Sequence, residues 1–128
     1  MTSEVVGRTV LVVDDHADIR ELIRFHLQMK GCQVVEAADG GEAVELAARI
    51  HPDLILMDLS MPVLDGYEAT RRIRSQPQLE DVPVVAVSAY CDRNNRQKAF
   101  DAGCVECVCK PVEFEVIDCI LKKHLPVN

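Results

Sequence analysis

Aromatic residues make up only 4% of this 128-residue sequence and tryptophan is missing, so its 48% hydrophobic content predicts a core of aliphatic side chains. An excess of positive charge is missing too: 14 lysines and arginines face 21 aspartates and glutamates, a net charge of −7. Binding to nucleic acid is driven by basic charge on phosphate, so this balance argues against a direct nucleic-acid partner. No apolar run approaches the length of a membrane span. The start, Met1 to Arg8, lacks the basic segment and long apolar stretch of a secretory signal. A cytoplasmic protein with no membrane partner is expected, and there the six cysteines should be thiols rather than disulfides. Repeats, low-complexity tracts and interdomain linkers are lacking as well. Residues 1–128 read as one domain, with a core from about 8 to 125.

What is present is a series of short apolar runs, each ending in a polar residue. Thr9–Val13 leads to Asp14 and Asp15, Leu54–Met57 to Asp58, Val84–Val87 to Ser88, and Val105–Cys109 to Lys110. A strand buried on both faces reads as a continuous apolar run. A further strand is predicted from Cys32 to Ala37. Helices are predicted over 17–30, 42–50, about 67–74, 92–102 and about 113–125, with Gly31 and Gly103 as terminators. Regular alternation of strand and helix with short connections predicts a doubly wound α/β fold, a five-stranded parallel sheet between helix layers. Bringing Asp14 and Asp15 beside Asp58 requires the strand order 2-1-3-4-5, the flavodoxin-like arrangement, with the polar residues meeting at the carboxyl ends of the strands.

Three carboxylates in one crevice need neutralisation. Two unit charges about 4 Å apart repel by roughly 4 kcal/mol at an effective dielectric of about 20. Either one carboxylate takes a proton or a cation sits among them. Oxygen-only ligands favour Mg2+, which uses one or two carboxylates and keeps waters and a phosphate oxygen. Lys110 adds a mobile positive charge and Ser88 a neutral donor, so a phosphoryl group between them would have its oxygens neutralised. The adjacent pair Asp14 and Asp15 suits a metal, which leaves Asp58 as the nucleophile that would form an aspartyl phosphate.

These residues resemble the receiver domain of bacterial response regulators, the partners of sensor histidine kinases in two-component signalling. The matching segments are Val12–Asp15, Leu56–Gly66, Val87–Ala89 and Cys109–Pro111, in order across nearly the whole chain. The resemblance implies that Asp58 accepts phosphate from a phosphohistidine of a histidine kinase or histidine phosphotransfer protein. It implies that Asp14, Asp15, Asp58 and the carbonyl of Ser60 hold Mg2+, and that Ser88 and Lys110 contact the phosphoryl group. It further implies a cis Lys110–Pro111 bond and a switched surface on the fourth helix, fifth strand and fifth helix, which binds a downstream protein. Such a module is no enzyme beyond self-catalysed phosphotransfer and autodephosphorylation. The natural-looking Met1 and the final Leu125–Asn128 favour a stand-alone regulator without a DNA-binding output domain.

The chain departs from the family at Cys107, where an aromatic residue whose rotation couples to the pocket is usual; Tyr90 is the nearest ring. Cys32, Cys104 and Cys109 read as small buried hydrophobes, whereas Cys91, Cys107 and Cys119 read as nearer the surface, where a redox input is conceivable. A zinc site through Cys104, Cys107 and Cys109 would need further ligands from Cys91, Cys119 or His124. His26 reads as a packed core histidine, His16 as an exposed loop residue, and His51 and His124 as surface or helix-end residues. Arg71, Arg72 and Arg74 read as a solvated basic face. Two other functions compete. An aspartyl-phosphate phosphatase would present a second aspartate two residues after its nucleophile, but Leu59 and Ser60 follow Asp58. A flavin domain would need a phosphate-cradling loop after the first strand, where Asp14 and Asp15 would repel the ligand.

Overall fold

The computed structural model describes residues 7–61 and 64–125. The strands are β1 Thr9–Val13, β2 Gln33–Ala37, β3 Leu54–Asp58, β4 Val84–Ser88 and β5 Glu106–Cys109. The helices are α1 Ala17–Met29, α2 Gly40–Ile50, α3 Gly66–Arg74, α4 Arg93–Ala102 and α5 Phe114–His124. All pairings are parallel, and the sheet order is β2-β1-β3-β4-β5, as the doubly wound reading requires.

Burial follows strand position. Every residue of the central β3 and β4 is buried, because helices cover both faces of the sheet there. At the edges, β2 and β5 are each only partly covered. Alternation along β1 feeds two separate cores: Leu11 and Val13 pack with Ala43, Ala47, Ala69, Ile73 and Ala99 from α2, α3 and α4. Val10 and Val12 face the other way, against Ile23 and Leu27 of α1 and Ile117, Ile120 and Leu121 of α5. Small alanines on the first side let those helices approach the sheet closely.

Aspartates set the helix starts. Asp39, Asp65 and Asp92 each accept the backbone N–H of the third residue of α2, α3 and α4, at 2.8, 2.9 and 2.8 Å. At α2 the Glu42 carboxylate in turn accepts the Ala38 N–H at 2.7 Å. The polar α4 buries only Ala99 and Ala102 and ends at Gly103, whose φ of 116° lies in the left-handed region.

Several sequence expectations need correction. The break after α3 contains a 3-10 turn, Pro77–Leu79, which buries Leu79. Arg74 is no part of a solvated face: its Nε donates to the Gly103 carbonyl at 3.0 Å and its guanidinium to the Leu79 carbonyl at 3.0 Å. Burial lowers its pKa. Arg71 and Arg72 do lie on the surface, paired with Glu68 at 3.2 Å each.

The cysteines differ most from expectation. Cys91 and Cys109 are joined in a disulfide. Cys107 is buried and Cys109 exposed, the reverse of the expected arrangement. Alternation puts both on one face of β5, but only Cys107 lies beneath α4; Cys109 ends the strand beyond the helix cover. Cys32 and Cys104 are buried and Cys119 is exposed, as expected. His26 stacks on Phe114 with centroids 4.2 Å apart and shares a hydrogen bond with Asp118 at 2.8 Å, a packed position. His51 caps the end of α2, and His124 ends α5 against Glu106 at 2.9 Å.

Candidate functional site

The crevice forms where β1, β3, β4 and β5 end. Asp14 follows β1, Asp58 is the last residue of β3, Ser88 the last of β4, and Lys110 follows β5. Parallel pairing in register places these ends side by side, so residues far apart in sequence meet. Asp14 and Asp58 are buried and Asp15 is exposed at the rim.

Backbone bonds brace each end. The Asp14 N–H donates to the Ala37 carbonyl at 3.1 Å, and the Arg20 guanidinium donates to the Asp14 carbonyl at 2.6 Å. Arg20 is itself held by Glu36 at 3.1 Å. Beyond β3, the Leu59 N–H reaches the Val87 carbonyl at 3.1 Å and the Gly66 N–H reaches the Leu59 carbonyl at 3.2 Å. A side chain at Gly66 would collide with the Asp58 carbonyl and approach Leu59 Cα to 2.8 Å, so only glycine lets α3 start this close to the crevice. The Lys110 N–H donates to the Ser88 carbonyl at 2.9 Å, and the Lys110–Pro111 bond is cis.

Charge within the crevice is unevenly satisfied. Lys110 Nζ lies 3.3 Å from Asp14 Oδ2 and 3.2 Å from Asp58 Oδ2. Asp58 Oδ1 accepts the Ser60 N–H at 3.1 Å. Asp58 Oδ2 is buried with no hydrogen bond aimed at it, so Lys110 offsets its charge without satisfying its lone pairs. Burial raises the Asp58 pKa and the Asp14 charge adds to this, against the lowering effects of the Ser60 N–H and Lys110. Burial disfavours the Lys110 ammonium, yet the charges of Asp58 and Asp14 hold its pKa above the ordinary value.

Asp14, Asp15, Asp58 and His16 offer ligand atoms that all lie within 4.8 Å of one another. The three aspartates are the expected set; His16 was read only as an exposed loop residue. It is exposed, but its Nδ1 lies 2.9 Å from Asp14 Oδ1 and 3.2 Å from Asp15 Oδ1. The hydrogen bond with Asp14 raises its pKa, helped by the charge of Asp15. Its adjacency to the acid pair was the available signal. The donor set is oxygen-rich and contains an orphaned buried carboxylate oxygen, which fits a hard divalent cation such as Mg2+.

Ser88 is at the expected strand end, and its hydroxyl is engaged by the backbone of Tyr90. It donates to the Tyr90 carbonyl at 2.8 Å and accepts the Tyr90 N–H at 3.0 Å. Ser60 contributes its N–H to Asp58 and is otherwise exposed. Cys107 is buried where the family resemblance would place a ring, and Tyr90 is 67% exposed, so no aromatic side chain fills that position. Arg20 was not singled out from the sequence, and Gly66 only as the end of the segment Leu56–Gly66, because each acts through a backbone carbonyl.

Comparison with known proteins agrees with this geometry. The model for the response regulator receiver domain matches residues 10–122. The 14.6 kDa protein of the sodA1 3′ region of Leptolyngbya boryana is 39% identical over 104 residues, which span 81% of this chain and 79% of that protein. The polar-differentiation response regulator DivK of Brucella ovis is 31% identical over 118 residues, covering 92% and 96%. Longer relatives exist too: the chain spans 47% of one probable transcriptional regulator, from Porphyridium aerugineum. Among solved structures, the receiver domain of a sensor histidine kinase from Pseudomonas aeruginosa superposes with a TM-score of 0.87 at 36% identity, covering 94% of this chain and 98% of that one. That structure is described with a magnesium ion coordinated in the active site cleft.

Proposed function

Given that the chain belongs to the response regulator receiver family of two-component signalling, we propose that it accepts a phosphoryl group on Asp58 from a phosphohistidine and relays the signal by changing a protein-binding surface. The observation that carries this reading is Asp58 Oδ2: a buried carboxylate oxygen, unsatisfied, facing a lysine and two further aspartates.

In the proposed reaction Asp58 Oδ2 attacks phosphorus, an O–P bond forms, and the N–P bond to the donor imidazole breaks. The imidazole leaves and takes a proton from solvent. Lys110 must lift from Oδ2 to admit phosphorus, and its ammonium then pairs with a phosphoryl oxygen. The Ser60 N–H keeps Oδ1 fixed, so that Oδ2 is the oxygen presented. Ser88 serves by rotating its hydroxyl from Tyr90 to a phosphoryl oxygen. Mg2+ bound by Asp14, Asp15, Asp58 and the Ser60 carbonyl would supply neutralising charge to the transferred group.

The donor is a histidine kinase or a histidine phosphotransfer protein. Leu22, Phe25 and Met29 expose 57, 61 and 70% of their surface along α1, the helix that starts beside the crevice, an apolar stripe suited to the donor's helices. The downstream partner is a protein bound on the α4–β5–α5 side, where Phe100, Val105 and Val116 are exposed. Within this reading the chain is a cytoplasmic signalling domain, not a turnover enzyme.

Incubation with acetyl phosphate and Mg2+ tests the assignment. The intact mass should rise by one phosphoryl group, the Asp58→Asn variant should show no gain, and unrelated phosphomonoesters should not turn over. Phosphoryl gain that persists in Asp58→Asn would overturn the assignment.

A further inference from the structure

The six cysteines divide sharply by environment. Cys32, Cys104 and Cys107 are buried. Burial pushes the Cys32 and Cys104 thiols up to about 11 and raises Cys107 as well, so these are unreactive thiols. Cys119 is exposed on α5. Cys91 and Cys109 are different: they flank the acceptor crevice and are accessible in part.

Cys109 ends β5, is the register partner of Ser88, and is followed by Lys110. Cys91 follows Tyr90 in the loop that leaves β4. Its Cα lies 5.8 Å from that of Cys109, within the span that a disulfide bridges without backbone movement. Arg96 donates to the Cys91 carbonyl at 3.1 Å and to the Cys107 carbonyl at 3.0 Å, which ties the loop after β4 to β5. The thiolate is the form that reacts with disulfides. Disulfides in a reducing compartment are usually transient and regulatory.

The bond would constrain the one part of the crevice that has to move. The Ser88 hydroxyl is engaged with both backbone groups of Tyr90. Tying Cys91 to the end of β5 fixes the Tyr90 backbone, and with it the pairing of the Ser88 hydroxyl with Tyr90. We infer that Cys91 and Cys109 are a reversible redox pair gating the acceptor site: the disulfide holds the Ser88 hydroxyl on Tyr90, and the dithiol releases the loop to turn inward. The gate rests on the phosphoacceptor reading above.

The oxidant is a low-molecular-weight disulfide such as glutathione disulfide. One cysteine thiolate attacks it, forming a mixed disulfide and expelling one small thiolate. The second cysteine thiolate attacks the protein sulfur of that mixed bond and expels the other. Two protein thiols are thus oxidised and one small disulfide is reduced; the two protons lost by the cysteines end, by way of solvent, on the two expelled thiolates, giving two small thiols.

The test uses the Cys119→Ser chain, oxidised with glutathione disulfide or reduced with dithiothreitol, and followed by alkylation and peptide mapping. Each form is then phosphorylated with acetyl phosphate and Mg2+. The oxidised form should carry a single Cys91–Cys109 crosslink and be phosphorylated several-fold more slowly, with dithiothreitol restoring the rate. Cys91→Ser and Cys109→Ser should each keep the reduced-form rate under both conditions. The comparison of the two redox forms needs neither of these variants to fold. Crosslinks through other cysteines, no crosslink, or equal rates in both forms would overturn the gate and leave the acceptor reading standing. Failure of both forms to gain phosphate would overturn the acceptor reading and the gate with it.

Discussion

Single atoms decide the chemistry at the crevice. Asp58 is buried at the end of β3, where Gly66 brings the start of α3 against the backbone of Asp58 and Leu59. Gly66→Ala would force its new methyl group into the Asp58 carbonyl. Over-packing of this kind costs about 1–3 kcal/mol. The variant should lose about that much stability in urea titration, and its phosphorylation rate should fall because Asp58 is displaced. Unchanged stability would mean that α3 can retreat without consequence. The residues that carry charge here were readable from sequence because each follows an apolar run. The role of Gly66 was not, since it depends on a backbone carbonyl that only the fold brings near.

Among elements, the joints between helices and strands rest on a few polar side chains. Arg74 links the end of α3 to the end of α4 and to the 3-10 turn through two carbonyls. Arg74→Ala leaves both part-buried acceptors without that donor, and the net contribution of a hydrogen bond is about 0.5–1.5 kcal/mol. A drop of that size in chemical denaturation is expected. Lysine at this position should rescue little, because it cannot reproduce the planar fork. Glu106 joins β5 to α5 through His124 at 2.9 Å and Lys123 at 3.4 Å. The hydrogen bond with His124 holds the Glu106 carboxyl below its ordinary 4.5, against some burial. A depressed acid contributes stability above its unfolded pKa and loses it as pH falls through the folded value. Thermal midpoints of the parent and of Glu106→Gln should therefore differ near neutrality and converge in acid, below pH 4.5. From sequence Arg74 read as part of a surface patch with Arg71 and Arg72, since nothing local distinguishes them. Its burial comes from α4 ending against it.

For the whole molecule, a metal bound in the crevice would link binding to folding. Asp14, Asp15 and Asp58 are brought together only in the folded chain, so a cation among them stabilises that state. Magnesium at about one hundred times its Kd should add about 2.7 kcal/mol. Differential scanning fluorimetry should show the midpoint rising with Mg2+ and falling again with EDTA. Asp15→Asn, at the exposed rim, should fold normally and flatten that response. A full response in this variant would remove Asp15 from the metal set. The sheet order and the meeting of the three aspartates followed from sequence, because a run of apolar residues ending in a polar one is a local pattern. That pattern survives folding: β3 and β4 are buried along their full length, and their ends face the crevice.

The sequence alone determined the layered α/β architecture, the strand order and the identity of the charged groups at the crevice, since periodicity and strand-end chemistry are written along the chain. The tertiary structure decided the joining of Cys91 to Cys109, the burial of Cys107, the bracing by Arg20 and Arg74, the approach of His16 to the acids, and the pairing of the Ser88 hydroxyl with the Tyr90 backbone. These depend on where the ends of separate strands and helices come to rest. Distances of a few ångströms between distant segments leave no local pattern to read.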